Sequence, residues 1–569
     1  MSAARNSHVR ASRLYALLLI FFLVSLALVA RAVKLQVAQT EFLQGQGEAR
    51  FLREVDIPTT RGMISDRNGE PLAVSTPVES VWVNPGEVLQ VPEKLGLLAK
   101  VLETDADELE RKLTQRSARE FVWLRRRLHP DMASQIEALK IQGVYLQKEY
   151  RRFYPAGEVA AHVVGFTNID DIGQEGLELA YNDWLIGEAG RKRVIKDRLG
   201  RTVEEVELVK QASPGKDLQL TIDRRLQYLA YTELKRTVLK HGARSGSVVL
   251  MDLHNGEILA MVNQPSYNPN QPDGSSEGLR NRAVTDVFEP GSVMKPFAVT
   301  SMLEAGIVTP GTPVETSPGT LVISGHTIRD HHNYGLLDVT GVLTKSSNVG
   351  VTKLALELSP EHMWDTYRRY GFGEATGSGF PGESAGVLRN HQRWRRLEHA
   401  TIAYGYGISA TALQLAQAYA VIASGGVLRQ PTLIQGAINP PISMVDPVLA
   451  RQVADMLETV TGPAGTGKQA RVANYRIAGK TGTSRKASAS GYASRYVASF
   501  AGFAPASNPR LVCVVIVNDP TGEQYYGGDV AAPLFANVVG GALRLMNVPP
   551  DDYPALFAQS ATDAEGAAR

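Results

Sequence analysis

Ser292 and Lys295 stand three residues apart in Glu289-Pro290-Gly291-Ser292-Val293-Met294-Lys295-Pro296-Phe297, a spacing at which a hydroxyl and an amine share one face of a helix. A serine hydroxyl becomes a nucleophile when a neighbouring base takes its proton. A buried lysine at the positive end of a helix dipole loses its own proton more readily and can be that base. Alone, Ser-x-x-Lys is also what a serine cap followed by a surface lysine looks like. Two further pieces follow in chain order, Ser346-x-Asn348 and Lys480-Thr481-Gly482, and the three together form the motif set of acyl-transferring serine enzymes. The residue types fit that chemistry. Ser292 attacks a carbonyl, Lys295 accepts its proton, Ser346 passes a proton toward the leaving amine, and Asn348 holds both Lys295 and the substrate amide. Lys480 is expected to set positive charge opposite a substrate carboxylate, with Thr481 and Thr483 as hydroxyl donors to it. Gly482, having no side chain, is expected to let an extended peptide lie along the strand as an added strand. The backbone N–H groups of Ser292 and Thr483 are the expected oxyanion hole.

The elements that must hold these groups are legible around them. Pro296 is tolerated only in a first helical turn, so the helix begins no earlier than about Ser292, and its apolar run to Ala305 stops at Gly306. Ser346 and Asn348 lie in a mainly helical context. Tyr475 to Thr483, Val497 to Phe503 and Leu511 to Val517 predict adjacent antiparallel strands, and Ser247–Asp252 with Glu257–Met261 a hairpin around His254-Asn255-Gly256. Helices are predicted over 223–235 and 411–423. Residues 221–548 thus read as one α/β unit.

With 569 residues and 44% apolar side chains the chain holds more than one domain, each able to build a core. A formal charge of +2 gives no reason to expect nucleic acid as a partner. Cys513 is the only cysteine, which excludes intramolecular disulfides and thiolate clusters; it reads as a small buried side chain in a strand. Leu14 to Ala30 is apolar and uncharged, preceded by Arg5, Arg10 and Arg13. That pattern predicts a retained single-pass anchor with residues 1–13 in the cytoplasm and the body of the chain outside, although Ala30-Arg31-Ala32 also fits a signal-cleavage pattern. Residues 31–49 read as a linker and 549–569 as a disordered tail.

Between residues 50 and 220 short strand-like runs alternate with turn clusters, and no nucleophile and base are paired. Three pieces stand out: Arg61-Gly62 through Asp66-Arg67-Asn68-Gly69, Arg152-x-Tyr154-Pro155, and Gly176-Leu177-Glu178. The arginines read as structural ion pairs and His162 as a satisfied structural histidine.

On these motifs the chain resembles the class B penicillin-binding proteins, the peptidoglycan D,D-transpeptidases, from the anchor to about residue 548. The three pieces just named match that family's N-terminal pedestal. Phe288-Glu289-Pro290-Gly291-Ser292, Lys345 to Gly350, Ala403-Tyr404-Gly405-Tyr406-Gly407, Phe500 to Pro505 and Tyr525-Tyr526-Gly527-Gly528 resemble its division-specific, FtsI-like branch. The resemblance implies a mostly β, α+β pedestal over 50–220. It implies a serine β-lactamase-like transpeptidase domain over 221–548, with an antiparallel sheet flanked by helices. It also implies cross-linking of stem peptides in septal cell-wall synthesis, inhibition by β-lactams, and an FtsW-like membrane glycosyltransferase with other division proteins as partners. The catalytic body would then lie in the periplasm, on the inner membrane. Tyr525 and Tyr526 would line the substrate cleft, with core packing as the competing role. No cofactor is called for, and the Glu-Asp-x-x-Phe signature of a fused glycosyltransferase is not found in the sequence.

His326, Asp330, His331 and His332 are not accounted for by the resemblance; solvated loop histidines are the first reading and a metal site the second. Other functions that the motifs allow are a D,D-carboxypeptidase, a β-lactamase-like hydrolase, or a non-catalytic scaffold of the division machinery. A class A β-lactamase places a glutamate four residues before an asparagine, downstream of Ser-x-Asn. Here the asparagines between Val349 and Gly479 are 390, 439 and 474, and Gly386, Gln435 and Ala470 stand four before them.

Overall fold

The computed structural model describes residues 3–38, 52–196, 202–272, 276–437, 439–488 and 491–552. The linker expected over 31–49 and the disordered tail expected over 549–569 fall largely outside these residues. The chain divides into two compact units, each built from several stretches of sequence.

The first unit gathers residues 1–60, 77–150 and 187–214. Its N-terminal helix, Ala3–Val33, continues into a wider turn, Lys34–Ala38. Arg13 to Gln36 is long and apolar enough to cross a membrane, and none of it is buried against protein. Strands Leu52–Ile57, Gly190–Lys196 and Thr202–Lys210 form one antiparallel sheet. A second sheet is covered on one face by helices Leu95–Val101, Ala106–Thr114 and Pro130–Leu139. These helices add to the strand-like reading of this region. Ala106–Thr114 buries only Leu109 and Leu113, four apart, so its period is carried by two residues in a charged run.

The second unit gathers residues 61–76, 151–186 and 215–569. Helix α1 (Arg224–Lys240) starts at Asp223, whose carboxylate accepts from Arg225 N. Strands β1 (Ser245–Asp252) and β2 (Ile258–Gln264) form the expected hairpin. Helix α2 (Lys295–Glu304) follows the serine turn, and helices α3 (Val339–Lys345) and α4 (Asn348–Ala355) flank the second motif. Helix α5 (Ala412–Ala423) is wholly buried and begins with a reciprocal cap between Thr411 and Gln414. Strands β3 (Ala478–Ser488), β4 (Gly491–Ala504) and β5 (Leu511–Asn518) complete an antiparallel sheet in the order β2-β1-β5-β4-β3, and helix α6 (Gly527–Leu545) closes the unit.

Both faces of this sheet are covered, which is why its inner strands read as nearly continuous apolar runs. Val248, Leu250, Val515 and Val517 face α1 and α6, while Val249, Met251, Val514 and Ile516 face α2 and α5. Phe297 of α2 is fully buried, edge-on to Tyr370, Phe372 and Tyr419 at 4.7–5.3 Å between ring centroids. The helix that carries the serine turn is therefore anchored in packed aromatic rings.

The three pieces singled out between residues 50 and 220 converge inside this unit. Arg61 Nε and Arg152 Nε each lie 2.6 Å from one oxygen of Glu178, and all three side chains are at most 1% exposed. Arg61 also donates to the carbonyls of Asp171 and Glu178 and to Asn182 Oδ1. His162 is buried, with Nε2 2.9 Å from the Gly278 carbonyl. Removing the single anion of the triad leaves two desolvated guanidinium groups, a loss of about 3–5 kcal/mol. Glu178→Gln should accordingly lower the unfolding free energy of the second unit, extrapolated from urea denaturation, by that amount; a change below about 1 kcal/mol would contradict the role given to the triad.

Candidate active site

Ser292 lies in a tight turn, Gly291–Met294, and Lys295 opens α2 itself, with Pro296 in its first turn as the sequence requires. Ser292 is half-buried, and its N–H sits where no intrahelical acceptor exists. The turn is fixed from two sides. Gly291 has φ +63° and donates its N–H to the Gly405 carbonyl at 3.1 Å. A Cβ at Gly405, φ +85°, would lie 2.1 Å from the Gly291 carbonyl oxygen, so only glycine permits this approach.

Lys295 is fully buried, and its Nζ donates to the Ser346 carbonyl at 2.5 Å, Ser346 Oγ at 3.1 Å and Asn348 Oδ1 at 2.8 Å. These acceptors take all three of an ammonium's protons. Ser346 adopts φ +60° between α3 and α4, which turns both its carbonyl and its hydroxyl onto the lysine. That conformation is costly for a residue with a Cβ, of the order of 1–3 kcal/mol, and is held by the surrounding bonds.

Asp330 supplies those bonds. Its Oδ1 accepts from Asn348 N at 2.5 Å and Val349 N at 3.0 Å, its Oδ2 accepts from Ser347 Oγ at 2.5 Å, and Arg329 O accepts from Asn348 Nδ2 at 2.9 Å. The acidic member of the His326–His332 cluster thus holds the first turn of α4 together with its N-cap Ser347, whose Oγ accepts from Gly350 N at 2.8 Å. Among the described residues no three His, Cys, Asp or Glu side chains come together as metal ligands. Asp330 was not singled out from sequence as a member of the site, because its 18-residue separation from Asn348 leaves no local pattern.

The third motif lies on β3, the edge strand, so β3 keeps a free pairing edge among the described residues. Lys480 is fully buried, bonded to Thr481 O at 3.2 Å and Thr481 Oγ1 at 3.4 Å. Thr483 Oγ1 accepts from Gly527 N at 2.9 Å, which leaves its own proton to donate. Gly482 is required from the other side of the strand. A Cβ there would meet Ser499 Oγ at 2.3 Å and Pro290 O and Val293 Cγ1 at 3.0 Å, so the glycine lets the serine turn close against β3. The missing side chain makes room for the Ser292 turn.

Tyr525 and Tyr526 are half-buried and exposed respectively, not core. Their rings continue a row that begins at Tyr496, which stacks on Tyr525 at 4.2 Å, and ends at His331, edge-on to Tyr526 at 5.5 Å. Neither end of the row was expected. Glu289 binds Gly407 N at 2.8 Å and Tyr492 Oη at 3.2 Å, and Tyr406 Oη accepts from Arg485 N at 3.1 Å, which ties the Tyr404–Gly407 segment to β3 and the serine turn.

Burial drives the Lys295 ammonium well below its usual range; the charge of Lys480 acts in the same sense and Asp330 opposes it. Burial alone pushes Lys480 from 10.5 to about 7. A serine at a helix start, a buried lysine three residues on whose ammonium is disfavoured, and an open edge strand fit a serine acyl-transfer site on a sheet flanked by helices.

The comparisons agree with that class. The penicillin-binding protein transpeptidase domain matches residues 246–540 and the penicillin-binding protein dimerisation domain residues 56–220. Peptidoglycan D,D-transpeptidase FtsI of Escherichia coli K12 is 44% identical over 94% of this chain and 92% of its own. The transpeptidase domain of penicillin-binding protein 3 from Burkholderia pseudomallei is 45% identical, with a TM-score of 0.55 over 59% of this chain and 98% of that one. Penicillin-binding protein 3 of Mycobacterium tuberculosis, solved with aztreonam, is 29% identical, with a TM-score of 0.68 over 87% of this chain and 98% of that one. The chain belongs to the penicillin-binding transpeptidases, in their class B, FtsI-like branch.

Because Lys480 holds its proton less well folded than unfolded, the unfolded chain binds more protons between about pH 7 and 10.5, and stability rises with pH across that window. Lys480→Met removes the penalty. It should raise the melting temperature at pH 6 and do so less at pH 9, while acylation falls; an equal or larger gain at pH 9 would contradict the burial of a titrating ammonium.

Proposed function

We propose that this chain is a membrane-anchored serine D-Ala-D-Ala transpeptidase that cross-links peptidoglycan stem peptides during septal cell-wall synthesis and is acylated by β-lactams. The observation that carries the reading is Lys295 Nζ, held by Ser346 O, Ser346 Oγ and Asn348 Oδ1, three residues after the half-buried Ser292. The donor peptide adds as a strand to the edge of β3, its terminal carboxylate meeting the hydroxyls of Thr481 and Thr483 and its body passing Tyr525 and Tyr526. Lys295, as the free amine, takes the Ser292 proton as Oγ attacks the penultimate D-Ala carbonyl. The N–H groups of Ser292 and Thr483 stabilise the oxyanion. Ser346 passes the proton from Lys295 to the departing D-Ala amine, and Asn348 holds the lysine and the donor amide. Lys480 acts through its field, lowering Lys295 and favouring negative charge in the cleft. Gly482 lets the serine turn reach the strand.

In this reading residues 14–30 anchor the chain, 1–13 stay in the cytoplasm, and the pedestal (50–220) and transpeptidase domain (221–548) work in the periplasm. The arginines ahead of the span support that orientation. An FtsW-like glycosyltransferase is the partner that would make the strands this site cross-links, together with other division proteins.

A hydrolase needs a base to activate water against the acyl-enzyme, and the glutamate that does so in class A β-lactamases has no counterpart here. Loss of such a base slows a step by roughly 10²–10⁴-fold, so a penicillin should leave a long-lived ester on Ser292. Intact-mass spectrometry after removal of free drug should show one adduct that persists and that Ser292→Ala lacks. Loss of the adduct within seconds, with hydrolysed drug accumulating, would make the chain a β-lactamase-like hydrolase.

A further inference from the structure

The cleft has two walls, and one ring contact bridges them. Asp330 belongs to the helical wall, because its carboxylate holds Asn348, whose Oδ1 lies 2.8 Å from Lys295 Nζ. Tyr526 belongs to the sheet wall, because it precedes Gly527, whose N–H is 2.9 Å from Thr483 Oγ1. His331 follows Asp330 in the chain and lays its ring edge-on to Tyr526 at 5.5 Å. The imidazole therefore stands at the mouth of the cleft, exposed on one side and within electrostatic reach of both catalytic-site lysines.

We propose that His331 receives the acceptor amine of the transfer reaction and takes the proton that its ammonium form must lose before attack. The inference rests on the transpeptidase reading. The acceptor arrives as an ammonium, and one proton passes to a ring nitrogen of His331, which frees the lone pair. The amine nitrogen then bonds to the acyl carbon while the bond from that carbon to Ser292 Oγ breaks. The second proton of the amine returns to Ser292 Oγ through Lys295. The imidazolium gives its proton to solvent. Each bond made is matched by one broken, and no further reactant is needed.

The surroundings suit this role. Lys295 from α2, Lys480 from β3 and His332 on the same loop all repel a second positive charge, Asp330 opposes them, and Tyr526 faces the ring without charge. Partial desolvation is the largest effect on His331 and lowers its pKa, which favours the neutral ring that has a lone pair to offer. An ammonium cannot attack until it has lost this proton, a step that water does not face, so loss of His331 should slow transfer more than hydrolysis.

The test uses the full-length protein in detergent with a thioester donor and D-alanine as the acceptor, and reads the ratio of transfer to hydrolysis. His331→Gln and His331→Ala should lower that ratio by about tenfold or more. They should also remove the acid limb of its pH profile, whereas His332→Ala should keep both. A ratio that is unchanged, or transfer and penicillin acylation falling in parallel, would overturn the inference and leave His331 a packing residue. If the wild-type protein forms a penicillin ester but transfers to no amine, the transpeptidase reading fails first, and this inference with it.

Discussion

Two lysine ammoniums, Lys295 and Lys480, are fully buried on facing elements, α2 and β3. A buried charge is tolerated only with bonds and counter-charge around it, so their environment has to be built precisely where the fold brings helix and sheet together. Ser346 accepts a left-handed backbone to give Lys295 two oxygens, and Asp330 holds that loop in place. Gly482 and Gly405 give up side chains so that the serine turn can press against β3 from one side and the Tyr404–Gly407 segment from the other. The result is a pair of amines that shed protons easily, one of them three residues from Ser292.

The cost of this arrangement is met by packing remote from the chemistry. The rings around Phe297 fix α2, and the buried strands β1 and β5 fix the plane from which β3 projects its free edge. The Arg61–Glu178–Arg152 triad ties three widely spaced segments of the same unit to one anion. Such a triad specifies geometry more than it adds stability, since its own desolvation offsets much of its attraction.

What was legible in the sequence is what depends on short range. Pro296 and Gly306 bracket α2, His254-Asn255-Gly256 turns the β1–β2 hairpin, and Ser292, Lys295, Ser346, Asn348 and Lys480 carry motifs within three or four residues of each other. What was not legible depends on distant partners. Asp330 reads as one member of a histidine-rich loop until α4 is seen to start on it, and Tyr496 joins Tyr525 only through strand pairing and the turn into α6. The packing role of Gly482 was hidden for the same reason: the sequence says that a side chain is missing, and only the fold says which neighbour needs the room. The helices of the first unit were hidden because a two-turn helix with two buried leucines leaves little periodicity to detect.

The central claim is that the environment of Lys295, including the charge of Lys480, makes it lose its proton far more readily than an ordinary lysine. The most direct measurement is the pH dependence of the acylation rate by a penicillin in the wild-type protein and in Lys480→Met. The account predicts an acid limb in the wild type that reflects an ionisation far below that of an ordinary lysine. It also predicts a displacement of that limb to higher pH when the Lys480 charge is removed, even where the overall rate falls. A limb that stays in place or moves to lower pH would contradict it.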